Sequence, residues 1–153
     1  MADIFDEIKS KRGGVASIHS VFKDYPQGVE AHFYFYEKIL LGEGPLSRAD
    51  REFLAVCTSQ ANECPYCVAH HQDVLNNQAD IEPKRKEKLE RFAKILTREP
   101  WKSQVEFLKL IHEGFSKPEA QHATMVVSYF NFVNRCVHAL GLKLEDNFQD
   151  TCR

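Results

Sequence analysis

Apolar positions along this chain recur with the period of helices and nowhere alternate as a strand's would. Leu89, Phe92, Ala93 and Leu96 keep the spacing i, i+3, i+4, i+7, which predicts an amphipathic helix opening at Pro83. Trp101, Val105, Leu108, Ile111 and Phe115 make a second stripe, ended by Gly114 and Pro118, and are expected to face the core. Val126, Phe130, Val133, Val137 and Leu140 make a third, on a helix of about Glu119–Leu140 closed by Gly141. Tyr129, Phe132 and Cys136 widen that third face, so this helix is expected to be central.

Upstream, Asp3–Lys11 reads as a short helix or an arm, closed by Gly13 and Gly14. Val15–Asp24 reads as a helix ended by Pro26, because proline disfavours helical geometry in the residue before it. Gly28–Leu41, containing "HFYFYEKILL", is too long and too free of turn signals for a strand and predicts a buried helix. After the break at Gly42-Glu43-Gly44-Pro45, Ser47 caps a helix over Arg48–Ala61, with Asp50 approximating a capping box. Pro65 directly follows Cys64, so Cys64 is the expected N-cap and Pro65 the first residue of a helix reaching about Asn77. The pattern predicts an all-α fold in a single domain spanning residues 1–153.

Composition narrows the classes. With 43% hydrophobic and 27% charged residues, 153 residues suffice for an ordinary globular core. The formal charge of −2, with both signs interspersed, offers no basic patch and excludes nucleic acid as the expected partner. No run of about eighteen apolar residues exists, so no membrane span is expected. The opening MADIFDEIKS carries acids where a signal peptide needs a basic region. Five cysteines, an odd number, do not suggest a secreted disulfide framework. A reducing cytoplasm is the expected compartment, and there a CxxC points to chemistry or metal rather than to a structural bridge.

That motif lies in "ECPYCVAHH", residues 63–71. Cys64 sits at a helix N-terminus, where unpaired backbone amides and the helix dipole favour a thiolate. Cys67 is one turn along the same face, and His71 is four residues further, in reach to accept the Cys67 proton. His70 is rotated about 100° away and is not expected to reach either sulfur. Three readings compete at this point: a redox dithiol, a zinc site, or two buried cysteines beside a surface histidine. Zinc would need Cys57 or Glu52 as a fourth ligand, and the redox reading is preferred because no second ligand pair exists. Glu52 alone would be a dipole partner on a solvated helix face.

Glu52, Cys64, Cys67 and His71 within "REFLAVCTSQANECPYCVAHHQDVL" resemble the alkylhydroperoxidase D-like group of the carboxymuconolactone decarboxylase superfamily. "SYFNFVNRCVHALGL", residues 128–142, is similar to the C-terminal helix of that group's peroxidase-related members. The resemblance implies an all-helical fold around a helical hairpin that carries the CxxC, assembled as trimers or hexamers. It implies a hydroperoxide as substrate, a thiol or dithiol as electron donor, and no cofactor or metal. By the same resemblance, Cys67 attacks peroxide, His71 and Glu52 relay its proton, and Cys64 resolves the sulfenic acid. The well-known peroxidases of the group carry a histidine next to the second cysteine, where this chain has Tyr66, a poor base at neutral pH. Lactone decarboxylases of the superfamily generally lack the dithiol, which argues against their chemistry. A non-catalytic redox sensor whose assembly follows the dithiol state is the alternative reading.

The remaining candidates have plain readings. Cys57 and Cys136 are expected to pack in the core, and Cys152 to lie in a tail. His19, His32, His112, His122 and His138 show no ligand spacing and are expected at the surface or satisfied in the core. Asn131, Asn134 and Arg135 fall on one side of the last helix, where they buttress either the site or an interface. Phe33, Phe35, Tyr36, Leu40 and Leu41 are expected to bury part of their surface against another subunit.

Overall fold

The computed structural model describes residues 3–151 and is helical throughout, with no strand among them. Its helices are α1 (Ile4–Arg12), α2 (Ser17–Ser20), α3 (Pro26–Tyr36), α4 (Arg48–Ala61), α5 (Pro65–Leu75), α6 (Pro83–Arg98), α7 (Ser103–His112) and α8 (Lys117–Leu140). Short 3-10 turns precede α7 and close the described chain at Phe148–Thr151. α4 packs against α5, α6 and α8, and one contiguous core surrounds it, built on Leu54, Phe92, Val126 and Phe130. Cys152 lies outside the described residues.

Several predicted boundaries shift for physical reasons. Val15–Asp24 is not a full helix: only Ser17–Ser20 is helical, followed by turns, and Pro26 opens α3 instead of merely ending what precedes it. The expected Gly28–Leu41 helix is α3 plus one π-turn over Glu37–Leu41, where the Gly42 amide bonds back to Glu37 O at 2.8 Å. Phe33, Tyr36 and Leu40 of that stretch are buried within this chain, leaving Phe35 exposed and Leu41 partly so. Its apolar excess therefore serves its own core more than an outer face.

The stripe at α7 holds only at Ile111 and Phe115. Trp101, Val105 and Leu108 are exposed, while Leu110 and Phe115 are buried and Phe107 and Ile111 partly so. Phe107, Leu110 and Ile111 form a competing i, i+3, i+4 set, and that set meets the core.

At the start of α4, Ser47 accepts the Asp50 amide at 3.0 Å, but the Asp50 carboxylate goes to Arg85 as a two-pronged pair at 3.0 and 2.9 Å. The reciprocal capping box occurs at Ser116 and Glu119, opening α8.

Candidate active site

α4 and α5 are joined by a tight reversal that sets the geometry of the dithiol. The Cys64 amide bonds to Ser59 O at 2.9 Å and the Glu63 amide to Gln60 O at 3.0 Å, the paired bonds of a Schellman cap. Glu63 takes the left-handed position at φ 53°, where glycine is the usual occupant. The same cap at the end of α8 uses Gly141, φ 62°, with Leu142 bonding back to Val137. Cys64 follows as N-cap of α5 with Pro65 in the first turn. The close reversal lays α5 along α4, which brings Glu52 beneath His71.

The Glu52 carboxylate is fully buried and shared. Oε2 accepts from His71 Nδ1 at 2.7 Å, and Oε1 accepts from Arg48 Nε at 2.7 Å. Burial pushes the carboxyl up, but His71 and Arg48 together hold it below its ordinary value. An ionised carboxylate only accepts, so Nδ1 of His71 carries the proton and Nε2 is left as the basic nitrogen. The ring also stands edge-on to Phe130, with centroids 4.6 Å apart, which fixes its tilt.

Both sulfurs are buried, and their charges are unequal. The Cys67 thiol donates toward Cys64, which with the α5 N-terminal amide and Asn134 brings Cys64 down to about 6 against the opposing effect of burial. The same hydrogen bond, with burial, pushes Cys67 up. The two shifts run in opposite directions, so a thiolate is favoured on Cys64 over Cys67. Asn134 is fully buried, donates to Ser59 Oγ at 3.1 Å and accepts from Asn62 at 2.9 Å, so it buttresses this site. Cys57 is buried and pushed up to about 12, mainly by burial. Cys136 is half-buried and its thiol is likewise raised by burial.

A cavity of about 50 Å3 adjoins the dithiol. Cys67, Tyr66, His70 and His71 of α5 line it together with Arg12, His19, Tyr36 and Tyr129. His70, expected to point off the site, is buried and lines this cavity, because the C-terminal segment folds over α5 and takes up its ring. His70 Nε2 bonds Glu145 Oε2 at 3.0 Å, and its ring stacks obliquely on Tyr66 at 4.6 Å. Glu145 also accepts from the Tyr66 hydroxyl at 2.8 Å and from the Ser17 amide at 2.5 Å. Burial pushes the Glu145 carboxyl up, yet these donors bring it to about 2. Sequence distance hid this clamp: Glu145 lies 128 residues from Ser17, and no local periodicity links them.

His122 is a satisfied core residue, bonded to Ile39 O and the Leu46 amide, and His112 and His138 are exposed. His19 and His32 depart from expectation: both are buried, and Nδ1 of each has no hydrogen-bond partner among the described residues. Among the described residues no group of three or more His, Cys, Asp or Glu side chains could hold a metal ion, and Glu52 is bonded to Arg48 and His71. No described helix is long and apolar enough to cross a membrane.

This architecture is shared with solved structures. A peroxidase-related protein with an alkylhydroperoxidase AhpD core, from Ralstonia eutropha JMP134, superposes with a TM-score of 0.81 at 24% identity, covering 95% of this chain and 85% of that one. The chain thus has the alkylhydroperoxidase D-like fold suggested by its motif. In sequence, a sestrin homolog from Drosophila melanogaster is 28% identical over 116 residues, 68% of this chain and 23% of that protein. Mouse Sestrin-3 is 25% identical over 149 residues, 89% of this chain and 30% of its own. The chain therefore spans less than a third of the length of these curated relatives. The family described as PA26 p53-induced protein (sestrin) matches residues 1–152, and the chain belongs to that family.

Proposed function

We propose that the protein reduces hydroperoxides through the Cys64–Cys67 dithiol, recycled by an external thiol. The observation that carries this reading is that Cys67 lines the cavity while hydrogen-bonded to a Cys64 of lowered pKa. At neutral pH, Cys64 is the thiolate and serves first as proton acceptor for Cys67. The Cys67 sulfur then attacks the distal oxygen of ROOH, an S–O bond forms, and the O–O bond breaks. The departing RO− takes a proton from the Cys64 thiol, with the basic Nε2 of His71, oriented by Glu52, able to relay it. Cys64 next attacks the Cys67 sulfenic acid and expels hydroxide, which a solvent proton converts to water. The dithiol monoanion, ROOH and one proton thus give a disulfide, ROH and water. Two equivalents of external thiol return the dithiol and leave oxidised as their own disulfide.

Support comes from the family fold, the paired thiols and the Glu52–His71 pair. Burial of both sulfurs favours one rival, a redox sensor that oxidises once and recycles slowly. Hydroperoxide consumption in excess dithiothreitol distinguishes them. Repeated turnover is expected, abolished in Cys67→Ser. Cys64→Ser should stop at a sulfenic acid that a dimedone-type probe traps. Loss of two thiols per chain with no further consumption would replace the peroxidase reading by the sensor.

A further inference from the structure

The cavity residues contributed by α1, α2 and α3 have no role in the chemistry above, yet they are costly to bury. Arg12 is buried, and no carboxylate among the described residues pairs with it; its named contact is the Tyr36 hydroxyl, which accepts from Nη2 at 3.1 Å. The guanidinium also lies over the Tyr36 ring, 5.5 Å from its centroid. A guanidinium has five N–H donors, and a buried cation without an anion is destabilising unless something else supplies negative charge. His19 lines the same cavity with its unpartnered Nδ1, packed 4.9 Å from His32 and edge-on to Phe33. His32 is held by Tyr129 at 2.7 Å and stands behind His19. A buried polar atom left without a partner normally costs about 1–3 kcal/mol, which a ligand could relieve.

We propose, building on the peroxidase reading, that Arg12 and His19 bind the oxygens of the substrate, and that the substrate is a small hydroperoxide: hydrogen peroxide or one bearing a short alkyl group. Size is the first reason. The cavity of about 50 Å3 is about a third of the roughly 150 Å3 that holds a benzene ring, so it has room for a few heavy atoms beside Cys67. Chemistry is the second. A hydroperoxide both donates and accepts, and a neutral imidazole offers one N–H and one lone pair. Burial, with His32 and Arg12 nearby, lowers His19 to about 3, so it is neutral throughout the physiological range. Charge is the third. Cleavage of the O–O bond builds negative charge on the leaving oxygen, and a buried guanidinium lining the same cavity as Cys67 stabilises that charge more than the ground state.

The test measures the rate of thiol oxidation by hydrogen peroxide, tert-butyl hydroperoxide and linoleic acid hydroperoxide, with iodoacetamide alkylation as a control for thiol reactivity. The wild-type chain should prefer hydrogen peroxide over the fatty-acid hydroperoxide by at least about tenfold. Arg12→Met and His19→Phe should each slow oxidation by hydrogen peroxide roughly ten- to a hundredfold while alkylation stays within about twofold. Arg12→Lys and His19→Gln, which keep a charge or a hydrogen bond, should recover part of the rate and guard against a variant that simply misfolds. A wild-type chain that prefers the fatty-acid hydroperoxide overturns the proposal, as do variants that slow alkylation and oxidation alike or slow neither. A wild-type chain that reacts with no peroxide overturns the peroxidase reading together with this one.

Discussion

The two walls of the cavity solve the problem of burying polar groups in opposite ways. Behind the α5 wall, where Cys67 and His71 line the cavity, Glu52 of α4 is fully buried but satisfied on both oxygens by Arg48 and His71, and Cys67 shares a hydrogen bond with Cys64. On the wall built from α1, α2 and α3, Arg12 has no carboxylate partner among the described residues, and His19 and His32 keep Nδ1 atoms without partners. A satisfied network holds its geometry whether or not a ligand is present. An unsatisfied one spends folding stability on a site, as strained or unpaired groups at functional positions often do. The comparison teaches where to expect robustness and where to expect a ligand's effect.

Acid should expose the difference most strongly. Burial lowers His19 to about 3 and His32 to about 4, so both resist protonation when folded but accept it near 6.5 when unfolded. Between those values the unfolded chain binds more protons, and stability falls as pH drops, by up to about 1.4 kcal/mol per pH unit for each histidine. His70, whose burial outweighs Glu145, adds to the same slope. Glu52 does not act in this window: its carboxyl lies below its ordinary value, so its contribution is present above about 4.5 and fades only below that. Urea midpoints from pH 7 to pH 4.5 should therefore drop steeply in the wild type and far less in the double variant His19→Phe, His32→Phe. An unchanged slope in the double variant would break the contrast between the walls.

Glu52→Gln probes the paired wall. It leaves Arg48 and His71 without their shared anion and should cost about 3 kcal/mol at pH 7, read from urea unfolding. It should also slow single-turnover oxidation of Cys67, with part of the rate returning as pH rises. A loss of stability with no change in the pH profile would assign Glu52 to packing alone.

The clamp over the site is weaker because Glu145 is partly solvated. Glu145→Gln should cost about 2 kcal/mol at pH 7, since charged hydrogen bonds to Tyr66, His70 and the Ser17 amide become neutral or are lost. The wild-type advantage should persist above about 4.5 and vanish as pH falls toward about 2, where the folded carboxyl protonates. Faster amide exchange near Ser17 in the variant would confirm that the clamp holds α2 down.

The smallest effect concerns the reversal beneath the dithiol. Glu63 occupies a left-handed position that Gly141 fills in the same cap elsewhere. Glu63→Gly should stabilise the chain by about 1 kcal/mol at most, because relief of the backbone penalty is offset by the greater freedom of glycine when unfolded. A destabilisation would mean that the Glu63 side chain itself supports the reversal.

The sequence by itself determined the all-helical class, the start of α5 at Cys64-Pro65 and the end of α8 at Gly141, because these follow from local periodicity, proline geometry and capping. It also singled out Cys64, Cys67 and His71, since helical spacing alone puts them on one side of α5, and Glu52 through the motif it shares with a family. Only the tertiary structure decided which apolar face of α7 turns inward, for two sets at helical spacing competed and packing against α6 and α8 chose Phe107, Leu110 and Ile111. It alone decided that His70 meets Glu145, that Asn134 buttresses the sulfurs, and that Arg12 and His19 reach the cavity that Cys67 lines. These pairings span 48 to 75 residues, and side-chain burial at that range depends on how helices pack, not on any period within one of them.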